Sequence, residues 1–114
     1  MYSDLIIFKK TYDLMLYLWP FVNKLPKTDK YVFGDKIKEI NLEMIDNIIV
    51  ISKYCNKGNI KEYLLKLDIN KERLQIYIRM CYDLKHIDKR RYIYISGLIN
   101  EIGKIIGGWI KKTN

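Results

Sequence analysis

Apolar side chains return every three or four positions along almost the whole of this chain, and that spacing constrains the fold more than any other feature. A helix turns once in about 3.6 residues, so the spacing gathers these side chains into one stripe per helix. A half-buried strand would alternate instead. Only two prolines and six glycines interrupt the 114 residues. The reading is all-α.

Four stripes stand out, giving helices over about 4–24, 30–57, 59–85 and 88–111. In the first, Leu5, Phe8, Tyr12, Met15, Trp19 and Val22 form the seam, with Asp4 or Ser3 as cap and Pro20 expected to kink the last turn. Pro26 closes that segment. The second seam is Phe33, Ile37, Ile40, Met44, Ile48, Ile51 and Cys55. A strand is locally conceivable at Ile48–Ile51, but the flanking period is helical. Gly58 is the expected C-cap. Asn59 and Glu62 resemble a capping box ahead of Ile60, Leu64, Leu67, Leu74, Ile78 and Cys81. The last seam is Tyr92, Ile95, Ile99, Ile102, Ile106 and Trp109, with Asp88 as cap. Short links between long helices imply antiparallel neighbours, hence one up-down-up-down four-helix bundle over residues 1–114. Apolar residues beyond what a bundle consumes (Leu42, Ile45, Ile49, Leu65, Ile69, Ile76, Met80) either thicken the core or reach the surface and predict self-association.

The net charge is +8, which favours anionic partners. In an up-down bundle the first and third links share one end. That end collects Lys24, Lys27, Lys30, Lys85, Lys89, Arg90 and Arg91, offset in part by Asp29, Asp83 and Asp88. Lys53, Lys57, Lys61, Lys111 and Lys112 gather at the other. The Lys89-Arg90-Arg91 run falls in the first turn of a helix, where the macrodipole disfavours cations. A phosphate backbone accounts for cations kept in such a place, while a solvated, solubilising face is the plainer alternative. Tyr31, Tyr92 and Tyr94, beside basic residues, have rings suited to stacking on unpaired bases. Arg79 reads equally as a partner of Asp83 one turn on or as a phosphate contact.

Other chemistry is thinly represented. Cys55 and Cys81 are far apart and read as buried thiols in a reducing compartment. With His86 as the one histidine, no zinc site assembles, and no metal or cofactor is expected. Gly103, Gly107 and Gly108, late in the fourth helix, suggest close helix approach followed by termination. Lacking a signal peptide or a membrane-length apolar run, the chain reads as cytoplasmic.

Several short motifs, in order, resemble the Avd (accessory variability determinant) family of diversity-generating retroelements, within a wider group of four-helix bundles that includes the ribosomal intervening-sequence proteins. They are Tyr12-Asp13-Leu14 with Trp19-Pro20, Leu25-Pro26-Lys27, Tyr31 through Ile37, Leu74 through Arg79 with Asp83-Leu84, and Glu101 through Ile110. Bulky residues at Ile51-Ser52-Lys53-Tyr54 depart from the small residues often found there in the family. The resemblance implies a five-fold ring of bundles that is not itself an enzyme and that binds reverse transcriptase and RNA or cDNA to support mutagenic reverse transcription. It also matches Lys36 and Arg79 to basic positions of the family. Together with the charge argument, the expected nucleic-acid contacts are Lys27, Lys30, Lys36, Arg79, Lys85, Lys89, Arg90 and Arg91. Two alternatives stay open. One is a protein-interaction module without nucleic acid. The other is a ribonuclease of the HEPN type, since Arg79 and His86 fit the spacing of its short Arg–His motif.

Overall fold

A computed structural model describes residues 2–54 and 58–113. Cys55 and Lys57 therefore lie outside the described residues. Helix α1 spans Tyr2–Asn23. A helical turn (Lys27–Asp29) and a π-helical turn (Lys30–Gly34) lead into α2, Asp35–Lys53. Helices α3 and α4 span Ile60–Asp83 and Lys89–Thr113. Each packs on its neighbours in sequence and α1 closes the ring on α4, so α1 and α3 lie across the bundle from each other. The result is an antiparallel four-helix bundle measuring 44 × 24 × 19 Å. The Ile48–Ile51 run is helical, as its flanking period requires.

The seams of α2, α3 and α4 are those expected over the described residues, except that Ile60 and Tyr92 are only half-buried at their ends. Ile37, Ile40, Met44, Ile48 and Ile51 meet Leu64, Leu67, Leu74, Ile78 and Cys81, and Ile95, Ile99, Ile102, Ile106 and Trp109 complete the core. Burying each such large aliphatic side chain contributes about 1.5–3 kcal/mol, which makes these seams the main source of cohesion.

Helix α1 faces the other way from the reading above. Ile7, Thr11, Leu14, Leu18, Phe21 and Val22 are buried, while Leu5, Phe8 and Tyr12 are exposed and Met15 and Trp19 half-buried. Both faces of α1 are apolar, so period alone does not choose between them. The inner face is mainly aliphatic and buries one small hydroxyl, that of Thr11, without a hydrogen-bond partner. The outer one carries the Tyr12 hydroxyl and the Trp19 indole N–H, which keep access to water.

Other local expectations are corrected as well. α2 ends at Lys53, a turn earlier than expected, with Tyr54 donating its N–H to the Val50 carbonyl. No described glycine has positive φ, so Gly58 is not a left-handed cap. Ser52, Lys53 and Tyr54 are all exposed, so the last described residues of this stretch bury no side chain against the bundle. The capping box is absent: Asn59 makes no capping side-chain bond, and Glu62 pairs with Lys66 at 3.6 Å instead. Helix α4 runs on through Gly107 and Gly108, where an added Cβ would meet nothing within 4 Å, and Gly103 is in ordinary contact with the Lys71 stem. These three glycines neither draw helices together within the bundle nor end α4.

Close approach is required at Gly34. A Cβ there would lie 3.1 Å from Val22 Cγ1 and 3.2 Å from Leu25 Cδ1. The π-helical turn, closed by the Asp35 N–H on the Lys30 carbonyl, thus seats its backbone directly on the end of α1. Gly34→Val should cost about 2 kcal/mol or more through overpacking, measured by urea unfolding. An unchanged midpoint would show that the end of α1 yields to the extra bulk.

A candidate nucleic-acid interface at one end of the bundle

The first and third links meet as antiparallel packing demands. His86 Nε2 lies 2.6 Å from Asp29 Oδ2, with both groups half-buried, and the imidazole packs at 6.3 Å from the Phe33 ring. Beneath them Cys81 is fully buried. Burial, aided by the nearby Asp29 charge, pushes its thiol up to about 12. Unfolding therefore releases the thiol proton between the ordinary value of 9.0 and about 12, so this group's contribution to stability falls as pH rises through that window. At neutral pH it is a weak nucleophile packed as a small apolar group.

Helix α3 stops here in a Schellman motif. The His86 N–H donates to the Cys81 carbonyl and the Lys85 N–H to the Tyr82 carbonyl, which requires a left-handed residue between helix and link. That residue is Lys85, with φ of 65°. Glycine would fit without strain, so the chain holds a cation in a conformation that costs an L-residue about 1–2 kcal/mol.

Three acids at this end are engaged, while Asp35 at the start of α2 is exposed. Asp29 holds His86. Asp83 takes the Arg79 Nε–H at 3.0 and 3.2 Å. Asp88 accepts the Arg91 backbone N–H at 2.8 Å and so caps α4, as expected. That cap meets the helix dipole locally, which lowers the cost of the basic run beside it. Among the described residues, Lys24, Lys27, Lys30, Lys85, Lys89 and Arg90 have no ion-pair partner.

Arg90 and Arg91 line one cleft with Tyr17, His86 and Tyr94. Lys24 lines an adjoining one that shares Tyr17, His86 and Arg91. Lys85 lines a third, on the other side of His86. Lys27, Lys30, Lys36, Lys89 and Arg79 line none of these. Lys36 is paired with Glu39 at 3.6 Å. Arg79 is exposed, forms its pair with Asp83, and lies 5.9 and 5.8 Å from the stacked rings of Tyr82 and Tyr92. Hydrogen bonding with Tyr92 and then Asp83 raises its pKa further, keeping it a cation.

Tyr17 is the residue that sequence reasoning missed. Arg91 Nε donates to its hydroxyl at 3.2 Å and the guanidinium lies 5.8 Å from its ring. The two are 74 positions apart and no local pattern links them. Among the described residues, no group of three or more His, Cys, Asp or Glu side chains converges as a metal site would need, and no helix is long and apolar enough to cross a membrane.

Fold and tip together define a small antiparallel four-helix bundle with a cationic end built from its first and third links. A profile of the bAvd-like family matches residues 5–113, and the chain belongs to that family. No curated protein matches it in sequence.

Lys85→Gly should stabilise the fold by about 0.5–1 kcal/mol, since relief of left-handed strain outweighs the added freedom of the unfolded chain. Thermal unfolding would register this as a rise of a few degrees. A fall would mean that the Lys85 side chain holds the link in place.

Proposed function

We propose that this chain is the non-enzymatic accessory protein of a diversity-generating retroelement, binding RNA or cDNA at its basic end and holding it against the reverse transcriptase. Family membership supports the accessory role. The observation that carries nucleic-acid binding is the set of cations without ion-pair partners at an end where Asp29, Asp83 and Asp88 are engaged with His86, Arg79 and the α4 backbone, so that the cations outnumber the remaining acid, Asp35. Cations left without counter-charge release condensed ions from a phosphate backbone on binding, which drives association at moderate salt. Arg79 contributes less in this reading, because Asp83 already holds its Nε edge. Arg79 also lines none of the three clefts that His86 lines, which does not favour a ribonuclease built on that pair.

Replacing Lys89, Arg90 and Arg91 together with Gln should weaken binding of a single-stranded oligonucleotide about tenfold or more at moderate salt, and flatten the log–log salt slope by about 2 to 3 for the lost phosphate contacts. An unchanged slope would remove these residues from the interface. Absence of binding by the unaltered protein at physiological salt would instead favour an interaction module for an acidic protein.

Self-association belongs to the same proposal. The expected surplus reaches the surface at Leu42, Ile49, Leu65, Ile69, Ile76 and Met80, whereas Ile45 is half-buried. Leu65, Ile69, Ile76 and Met80 form an outer stripe on α3, and Leu5, Phe8, Tyr12 and Leu16 form one on α1, on the opposite side of the bundle. Two different stripes on opposite sides suit a head-to-tail contact, which closes into a ring rather than a two-fold dimer. Sedimentation should give a pentamer of the 13.8 kDa chain, and Leu16→Glu or Ile69→Glu should each dissociate it. A monomer at micromolar concentration would overturn the ring.

A further inference from the structure

We propose that the cleft between α1 and the start of α4 holds an unpaired nucleotide, so that the basic end selects single-stranded over duplex nucleic acid. The inference rests on the nucleic-acid reading above and adds what the end recognises. The cleft has a volume of about 540 Å³, and the lobe adjoining it about 300 Å³. Arg91 forms part of the wall of both. Its guanidinium is held over Tyr17 and Phe21, at 5.8 and 5.9 Å, and tethered by the Tyr17 hydroxyl. This contact fixes a planar fork of donors, the geometry that suits a phosphate.

Tyr94 supplies the flat surface. Its ring lies 5.3 Å from that of Tyr17 with the planes inclined at 57°, so the two do not stack face to face, and the residue is 54% exposed. An exposed aromatic ring beside two arginines is the combination that binds unpaired bases without reading their sequence: the base stacks and the cations take the flanking phosphates. Arg90 lines the cleft without an ion-pair partner, and Lys24 does so in the adjoining lobe. The acid in the lining, Asp88, points its carboxylate at the Arg91 backbone N–H, and His86 is drawn back by Asp29. Bases in a duplex are already stacked and paired on both sides and have no face to offer Tyr94, whereas phosphates are common to both forms.

The test compares equilibrium binding, by fluorescence anisotropy at moderate salt, of four probes of equal length: a thymidine homopolymer, a uridine homopolymer, an abasic deoxyribose-phosphate strand and a DNA duplex. The protein should bind both homopolymers roughly tenfold or more tighter than the abasic strand. Whether thymidine or uridine binds tighter reports which strand, cDNA or RNA, the cleft prefers. Tyr94→Leu should erase the preference over the abasic strand while leaving abasic-strand binding and the salt slope unchanged, and Tyr94→Phe should keep it. Equal binding of homopolymer, abasic strand and duplex, or a preference that survives Tyr94→Leu, overturns the nucleotide site but leaves electrostatic binding intact. Failure of every probe to bind, even at low salt, overturns the nucleic-acid reading itself and this inference with it.

Discussion

Burial of apolar seams along four helices is the interaction on which the rest of this structure depends. Each seam is useless alone, because a helix with one apolar stripe gains nothing until another stripe covers it. With short links, covering is cheapest when each helix folds back on its predecessor, and α1 then closes on α4. Cross-helix ion pairs such as Lys10–Glu101 at 2.9 Å and Arg73–Glu43 at 3.6 Å are exposed and worth about 0–1 kcal/mol each. They adjust register on a scaffold that hydrophobic burial has already assembled.

The same closure creates the electrostatic character of one end. Cations from in and beside two links far apart in sequence are brought to one end of the bundle, where their fields add over the distances that salt leaves unscreened. Such a concentration is unfavourable for folding, and the structure lowers the cost locally: Asp88 caps α4, Asp83 holds Arg79, and Asp29 ties the two links through His86. None of these contacts neutralises Arg90 or the lysines around it. Lys85 adds to the field from a backbone conformation in which glycine would be more comfortable. An end assembled in this way stays cationic while remaining compatible with a stable fold.

The seams of α2, α3 and α4 were legible because a regular apolar stripe runs down one face of each, even where, as on α3, further apolar residues lie outside it. α1 was not, because Leu5, Phe8, Tyr12 and Leu16 make as good a stripe as Ile7, Leu14, Leu18 and Val22. Only the presence of three other helices chooses between them, and it chooses the face without the large amphipathic rings of Tyr12 and Trp19. The Schellman motif at Lys85 escaped notice because left-handed caps are recognised by glycine, and the residue here is lysine. Gly34 was part of a family-like motif, but its reason, contact with Val22 and Leu25, exists only once α1 and α2 are packed.

By itself the sequence determined that the chain is helical, that it forms a four-helix bundle, and that a set of basic residues falls in and beside the first and third links, since all three follow from local periodicity and the order of residues along the chain. The tertiary structure alone decided which face of α1 is inside, that Asp29 meets His86, and that Arg91 is held over Tyr17 beside Tyr94. Those are contacts between residues dozens of positions apart. Their energies depend on packing geometry that no local pattern encodes.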